Sequence, residues 1–146
     1  MKKVKIRWHS RAGQGAITAS NALAQTLDEK FFTQSFADFG AEKRGAAIEV
    51  FTRISTQKID AIHKIEKPDF IILFDESLQN PHELSRDEIL RGANENTILI
   101  VNSSQKKTSF TNFAGKIFHC AADEISQKNI SKKIPNVPLV AAFLQI

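Results

Sequence analysis

The chain has 146 residues, 42% hydrophobic and 25% charged, with 20 Lys and Arg against 16 Asp and Glu. This is the profile of one ordinary globular domain, long enough to bury a sizeable core. No apolar run approaches the roughly 20 residues that cross a bilayer, and the Lys-rich start runs into a strand-like segment, so a cytoplasmic protein with no membrane partner is expected. A single cysteine, Cys120, excludes an internal disulfide and any multi-cysteine iron-sulfur or zinc site built by this chain alone.

Val4 to Trp8 reads as a first strand, with Val4 and Ile6 inward and Lys2, Lys3, Lys5 and Arg7 expected on one solvated face. Ala16 to Leu27 carries Ala16, Ala19, Ala22, Leu23 and Leu27 at helical spacing. Phe31 to Phe36 is an aromatic second strand. Ala46 to Ile54 alternates as a third, followed by a turn at Ser55 to Lys58. After Pro68 the run DFIILFDE has the unbroken apolar centre of a strand buried on both faces. Pro81 to Gly92 predicts a short helix with proline early and glycine late.

Thr97 to Asn102 is another buried strand and Lys116 to His119 a shorter one, before one or two helical turns over Ala121 to Lys128. Pro138 to Ile146 predicts a last helix that reaches the C-terminus without a closing signal. Strand-like and helix-like segments thus alternate. They predict a three-layer α/β domain, a Rossmann-like and mostly parallel sheet with helices on both faces, as one unit over 1–146.

The net charge of +4 and pI near 9.3 raise the question of a nucleic-acid partner. The bases do not cluster, and there is no recognition helix or aromatic RNA-binding signature, so none is expected. An acidic small molecule or an acidic partner protein accounts for the excess equally well.

Two loops hold unusual chemistry. In HSRAGQGAITA, Gly13 and Gly15 follow the first strand, but Thr18 stands where a dinucleotide fingerprint needs its third glycine, and the Gly-Lys-Ser/Thr of a phosphate loop is missing. Asp38 is the nearest acid for a ribose. On spacing alone, the glycines serve a tight strand-to-helix turn. A helix N-terminus with Arg11 beside it could still hold an anion. The second loop, FADFGAEKRGA, places Gly40, Glu42, Lys43, Arg44 and Gly45 between two strands.

His9 beside the glycine loop is read as structural, and His63, His82 and His119 lack metal-ligand spacing. Cys120 is expected to be a packed thiol. Asp75 and Glu76 close a buried strand, where capping is the preferred role.

Together, RAGQGAITAS after the first strand and FGAEKRGA before VFTRIS resemble the gamma subunit, or gamma domain, of 2-oxoacid:ferredoxin oxidoreductases, most closely the pyruvate type. The family's first motif is close to GRGGQG followed by V/I-T-A, and its second to FGxERRGA before a strand ending RIS. Here Ser10 and Ala12 replace small or glycine positions and Lys43 replaces an arginine. KPDFIILFDESL and the late IPN extend the likeness over nearly the whole chain.

The resemblance implies a multi-subunit enzyme that converts a 2-oxoacid, coenzyme A and oxidised ferredoxin or flavodoxin to acyl-CoA, carbon dioxide and reduced carrier, or the reverse. Thiamine diphosphate and iron-sulfur clusters are then expected in alpha, beta and delta-type partners. This chain would be non-catalytic alone, with Arg11, Gly13, Gln14, Gly15, Gly40, Glu42, Lys43, Arg44 and Gly45 facing coenzyme A or the partners. The ending FLQI is short for such a subunit and implies a truncated C-terminal helical region or one completed by another subunit. An independent nucleotide-binding domain and, behind it, a basic nucleic-acid-binding module stand as alternatives.

Overall fold

The computed structural model describes residues 3–39, 47–79, 86–105, 110 and 113–146. Strands β1 (Val4–Arg11), β2 (Phe32–Phe39), β3 (Ala47–Ser55), β4 (Phe70–Leu73), β5 (Ile98–Asn102) and β6 (Lys116–Cys120) form one sheet in the order β2-β3-β1-β4-β5-β6. β1 pairs in parallel with β4, β4 with β5 and β5 with β6, while β3 runs antiparallel to both β1 and β2. The predicted α/β sheet is therefore present as a mixed sheet. Its parallel half grows from crossovers, and its antiparallel half is the single hairpin β2–β3 laid against β1.

One face packs under α1 (Ala16–Leu27), α3 (Ala122–Ile130) and α4 (Asn136–Leu144) around Ile6, Trp8, Val50, Ile72, Phe74 and Ile100. The buried stripe of α1 is Ala16, Ala19, Ser20, Leu23 and Ala24. Its small side chains let the helix backbone approach the sheet closely, and Ser20 accepts the Ser35 hydroxyl from β2 at 2.9 Å. Trp8 is fully buried and donates its indole N–H to Thr52 Oγ1 at 2.9 Å, so its one polar atom is satisfied in the core.

On the other face Ile71, Leu73, Leu99 and Val101 pack with Leu78 of a 3-10 turn (Glu76–Gln79), Ile89 of the one-turn helix α2 (Arg86–Ile89) and Phe110. Both faces of the parallel half are thus covered.

Several boundaries differ from expectation; β2, for one, runs to Phe39 and not Phe36. β1 runs on to Arg11 because His9, Ser10 and Arg11 continue the ladder against Ala47, Ile48 and Glu49 of β3. Within the predicted helix Pro81 to Gly92, Arg86–Ile89 is helical, and residues 81–85 lie outside the described residues. α4 starts at Asn136, two residues before Pro138; a proline in the first helical turn forfeits no intrahelical bond.

One reading is corrected. Arg7 is not on a solvated face but fully buried. It donates to the backbone carbonyls of Ile65 (3.3 Å), Ile89 (2.7 Å) and Arg91 (2.8 Å), which line the layer that covers this face of β1. The alternation along β1 was right; what covers its second face lies 58 to 84 residues away in the chain.

Candidate functional site

The site is at the carboxyl end of β1, where the neighbours of the strand diverge. The next sequential strands lie on one side of β1 and β4 lies on the other, which makes β1/β4 the topological switch point of the sheet. The chain leaves β1 through a turn with Gly13 at φ 91° and Gly15 at φ 86°, both in the left-handed region that favours glycine. A Cβ on Gly13 would meet nothing within 4 Å, so that side of the turn is open. A Cβ on Gly15 would lie 2.9 Å from Asn136 Nδ2, so the glycine loop and the first residue of α4 are packed together. The turn is closed by Gln14 N–H donating to the Arg11 carbonyl (3.1 Å) and by Arg11 N–H donating to Gln14 Oε1 (2.8 Å).

Arg11 and Gln14 converge on the carboxylate of Asp75, just after β4. Arg11 Nε donates to Asp75 Oδ2 at 3.2 Å and Gln14 Nε2 to the same oxygen at 3.0 Å, while Arg11 Nη2 reaches Ser77 Oγ at 2.9 Å. Asp75 Oδ1 accepts the Ser77 N–H at 2.8 Å, the expected capping role, here on the 3-10 turn. Burial alone pushes the Asp75 carboxyl up, but the Ser77 hydrogen bonds, Gln14 and Arg11 outweigh it, and the group sits below its usual range. The result is a charge-neutral clamp across the switch point. The residues expected to meet an anion thus hold a carboxylate of their own chain, with about a fifth of the Arg11 side chain still exposed.

Beside the clamp, a cavity of about 600 Å³ opens past the carboxyl ends of β4 and β5, with Glu76, Asn102, Gln105, Asp123, Gln127 and Lys128 among its walls. Asn102 ties this edge together, donating Nδ2 to the Phe74 carbonyl (2.9 Å) and accepting the Asp123 N–H of α3 (3.2 Å).

Gly40, Glu42, Lys43, Arg44 and Gly45 lie outside the described residues. Their flanks do not. Phe39 pairs with Ile48, and Ala47 pairs with Arg11, so the connection between β2 and β3 leaves and returns at the same edge as the glycine turn. Asp38, the candidate ribose acid, is engaged instead by Lys64 Nζ.

A second polar cluster went unseen in the sequence. His9, fully buried, accepts Arg7 Nε at Nε2 (3.2 Å), so its proton resides on Nδ1, 3.8 Å from Glu49 Oε1. Arg91 Nη2 approaches the same Glu49 oxygen at 3.4 Å. Burial first, and then the Arg7 and Arg91 charges, push the His9 imidazolium down to about 3, the Ile89 carbonyl acting in the opposite sense. Burial likewise lowers Arg7 to about 10, opposed by Glu49 and reinforced by Arg91. The only signal in the sequence was a histidine and an arginine alternating with Ile6 and Trp8.

Among the described residues, no group of three or more His, Cys, Asp or Glu could hold a metal. The Cys120 thiol lies 3.9 Å from the Pro138 carbonyl, and burial pushes its pKa up, as for an inert packed thiol. No described helix is long and apolar enough to cross a membrane.

The frame of the site is thus a three-layer domain with a glycine turn at its switch point, tied to Asp75 and Asn136. The family model for pyruvate ferredoxin/flavodoxin oxidoreductase matches residues 5–146, and the chain belongs to that family. Within it the chain is a gamma-type subunit of an oxidoreductase complex. It is 37% identical over 152 residues to the pyruvate synthase subunit PorC of Thermotoga maritima, covering 99% of this chain and 74% of that one. It is also 39% identical over 105 residues to the pyruvate/ketoisovalerate oxidoreductases common subunit gamma of Pyrococcus abyssi, covering 71% of this chain and 54% of that one. The crystal structure of the Thermotoga maritima pyruvate oxidoreductase subunit superposes with a TM-score of 0.80 at 36% identity, over 99% of this chain and 76% of that one.

Proposed function

We propose that this gamma subunit serves a thiamine-diphosphate-dependent 2-oxoacid:ferredoxin oxidoreductase of the pyruvate type, and that the carboxyl edge of β1 forms part of its coenzyme A pocket or its contact with a neighbouring subunit. The observation that carries the reading is a convergence. The turn through Arg11, Gly13, Gln14 and Gly15 and both flanks of the segment holding Gly40, Glu42, Lys43, Arg44 and Gly45 meet at one sheet edge.

The chemistry assigns different work to the two loops. The Arg11–Asp75 pair is neutral as a whole and stiffens the turn, leaving backbone N–H groups and the open side of Gly13 to meet a ligand. Lys43 and Arg44 supply the net positive charge that a di- or triphosphorylated cosubstrate requires. A single cysteine cannot ligate a cluster, which supports iron-sulfur centres in partner subunits; in this reading the alpha, beta and delta-type partners also hold thiamine diphosphate, and ferredoxin or flavodoxin is the electron carrier. The overall reaction joins the acyl group of the oxoacid to the coenzyme A thiol, releases carbon dioxide and passes two electrons to the carrier. In it this chain binds and orients, and transfers nothing itself.

The test is the assembled complex carrying Arg44→Ala. The KM for coenzyme A is expected to rise about tenfold, the loss of one charge-assisted phosphate contact, with the oxoacid KM unchanged. Alternatively, the subunit fails to assemble while its isolated fold is intact by circular dichroism. Normal assembly with an unchanged coenzyme A KM would refute the assignment, and so would purification of the tagged chain without any thiamine-dependent partner.

A further inference from the structure

We infer that the amino-terminal edge of β1, opposite the edge just described, is a docking site for an acidic segment of another subunit. Here the coil that follows β3 folds back across the sheet and encloses a pocket of about 280 Å³, lined by Lys3, Lys5, Arg53, Lys64 and Lys67 with Glu66 as its one acid. The basic excess of the sequence, which showed no cluster along the chain, is gathered here by the fold.

Arg53 sets this pocket apart from a patch of surface lysines. Its residue is 2% exposed. Its guanidinium donates to Gln34 Oε1 at 2.8 Å and to the His63 carbonyl, and its Cζ stands 5.6 Å from the centre of the Phe36 ring. Among the described residues no carboxylate pairs with it, and burial lowers its pKa with no acid opposing the shift. A guanidinium removed from water without a counterion is costly, and the cost falls when an anion enters the same low-dielectric space. Lys64 is matched by Asp38, and the Asp69 carboxylate accepts the Lys5 backbone N–H. The ammonium groups of Lys3, Lys5 and Lys67 enter no ion pair among the described residues, and with Arg53 they give the pocket its net charge.

The occupant is a carboxylate-bearing stretch of a partner chain. Three separated ammonium groups around one buried guanidinium match several spaced carboxylates better than one compact ion. This rests on the proposed place of the chain in a multi-subunit complex.

The experiment is zero-length carbodiimide cross-linking of the purified complex, read by mass spectrometry. Cross-links from Lys3, Lys5 or Lys67 to an Asp or Glu of another subunit are expected, with yield falling severalfold between 0.05 and about 1 M salt as the Debye length shrinks to about 3 Å. The triple variant Lys3→Glu, Lys5→Glu, Lys67→Glu should slow association with the partners about tenfold at low salt, while the corresponding three Arg substitutions should not.

An intact complex that yields only intrachain products such as Lys64–Asp38, with association unaffected by the Glu substitutions, overturns the inference and leaves the proposed function standing. Saturable binding of inorganic phosphate to the isolated chain, lost in the triple Glu variant and without intersubunit cross-links, overturns it in favour of a small-anion site. Failure of any partner to copurify removes both readings.

Discussion

His9 should make this protein acid-sensitive by an amount the structure lets one estimate. The imidazole is enclosed by Arg7 on its own strand, Glu49 on β3 and Arg91 beyond α2, and its folded-state pKa lies at about 3 against 6.5 in an unfolded chain. Because the unfolded state binds the proton more tightly, the contribution of neutral His9 to stability is fully present above pH 6.5. It is lost progressively as pH falls through the window from 6.5 toward 3. Linkage with those two values gives a loss of about 2 to 3 kcal/mol between pH 7 and about pH 4.5, a substantial share of the roughly 5 to 15 kcal/mol that holds a domain together.

Carboxylates also titrate over this range, so the comparison is with His9→Gln, which keeps an oxygen to accept Arg7 Nε but cannot take up a proton. Urea unfolding of both proteins across the range should give stability curves that converge by about 2 to 3 kcal/mol toward acid, with the wild type falling faster. Parallel curves would show that His9 is not kept neutral by its surroundings and would refute the account of the cluster.

Arg7→Met leaves the carbonyls of Ile65, Ile89 and Arg91 without their donor and should cost about 3 to 5 kcal/mol in denaturant unfolding. Faster amide exchange through the coil before β4 should accompany that loss, and a loss under 1 kcal/mol would contradict the role assigned to Arg7. Gly15→Ala combines about 1 to 2 kcal/mol of left-handed strain with a contact on Asn136, whereas Gly13→Ala incurs the strain alone. The difference between the two in Tm should narrow when Asn136→Ala is added, since the 2.9 Å contact with Nδ2 is removed while the Asn136 Cβ at 3.4 Å stays. Arg11→Ala should cost only about 1 kcal/mol, because the pair is partly solvated, yet raise the Asp75 pKa in an NMR titration; an unmoved Asp75 would mean that the clamp does not hold in solution.

The turn at the centre of the candidate site was legible. The two glycines marked the turn after β1 because few other residues tolerate its positive φ, whereas Asp75 read only as a cap and IPN only as part of the family likeness, with nothing to set either against that turn. The sequence did not show that Arg11 and Gln14 would be satisfied by Asp75, since hydrogen bonding across 61 to 64 residues depends on which strands become neighbours.

What the sequence determined by itself was local and periodic. It contained the order of strands and helices, the small-residue stripe of α1, the all-apolar core of β4 and the family motifs, each written in short-range spacing. Tertiary structure decided which polar residues are buried. Along the chain Arg7 read as solvated, His9 as structural without a partner and Arg53 only as part of a family motif, because charge marks a residue as hydrophilic wherever it stands. They lie inside because distant backbone carbonyls and the folded-back coil replace water as their hydrogen-bond partners. The same folding gathers scattered lysines over the buried Arg53, since charge density belongs to a surface and exists only once the strands are side by side.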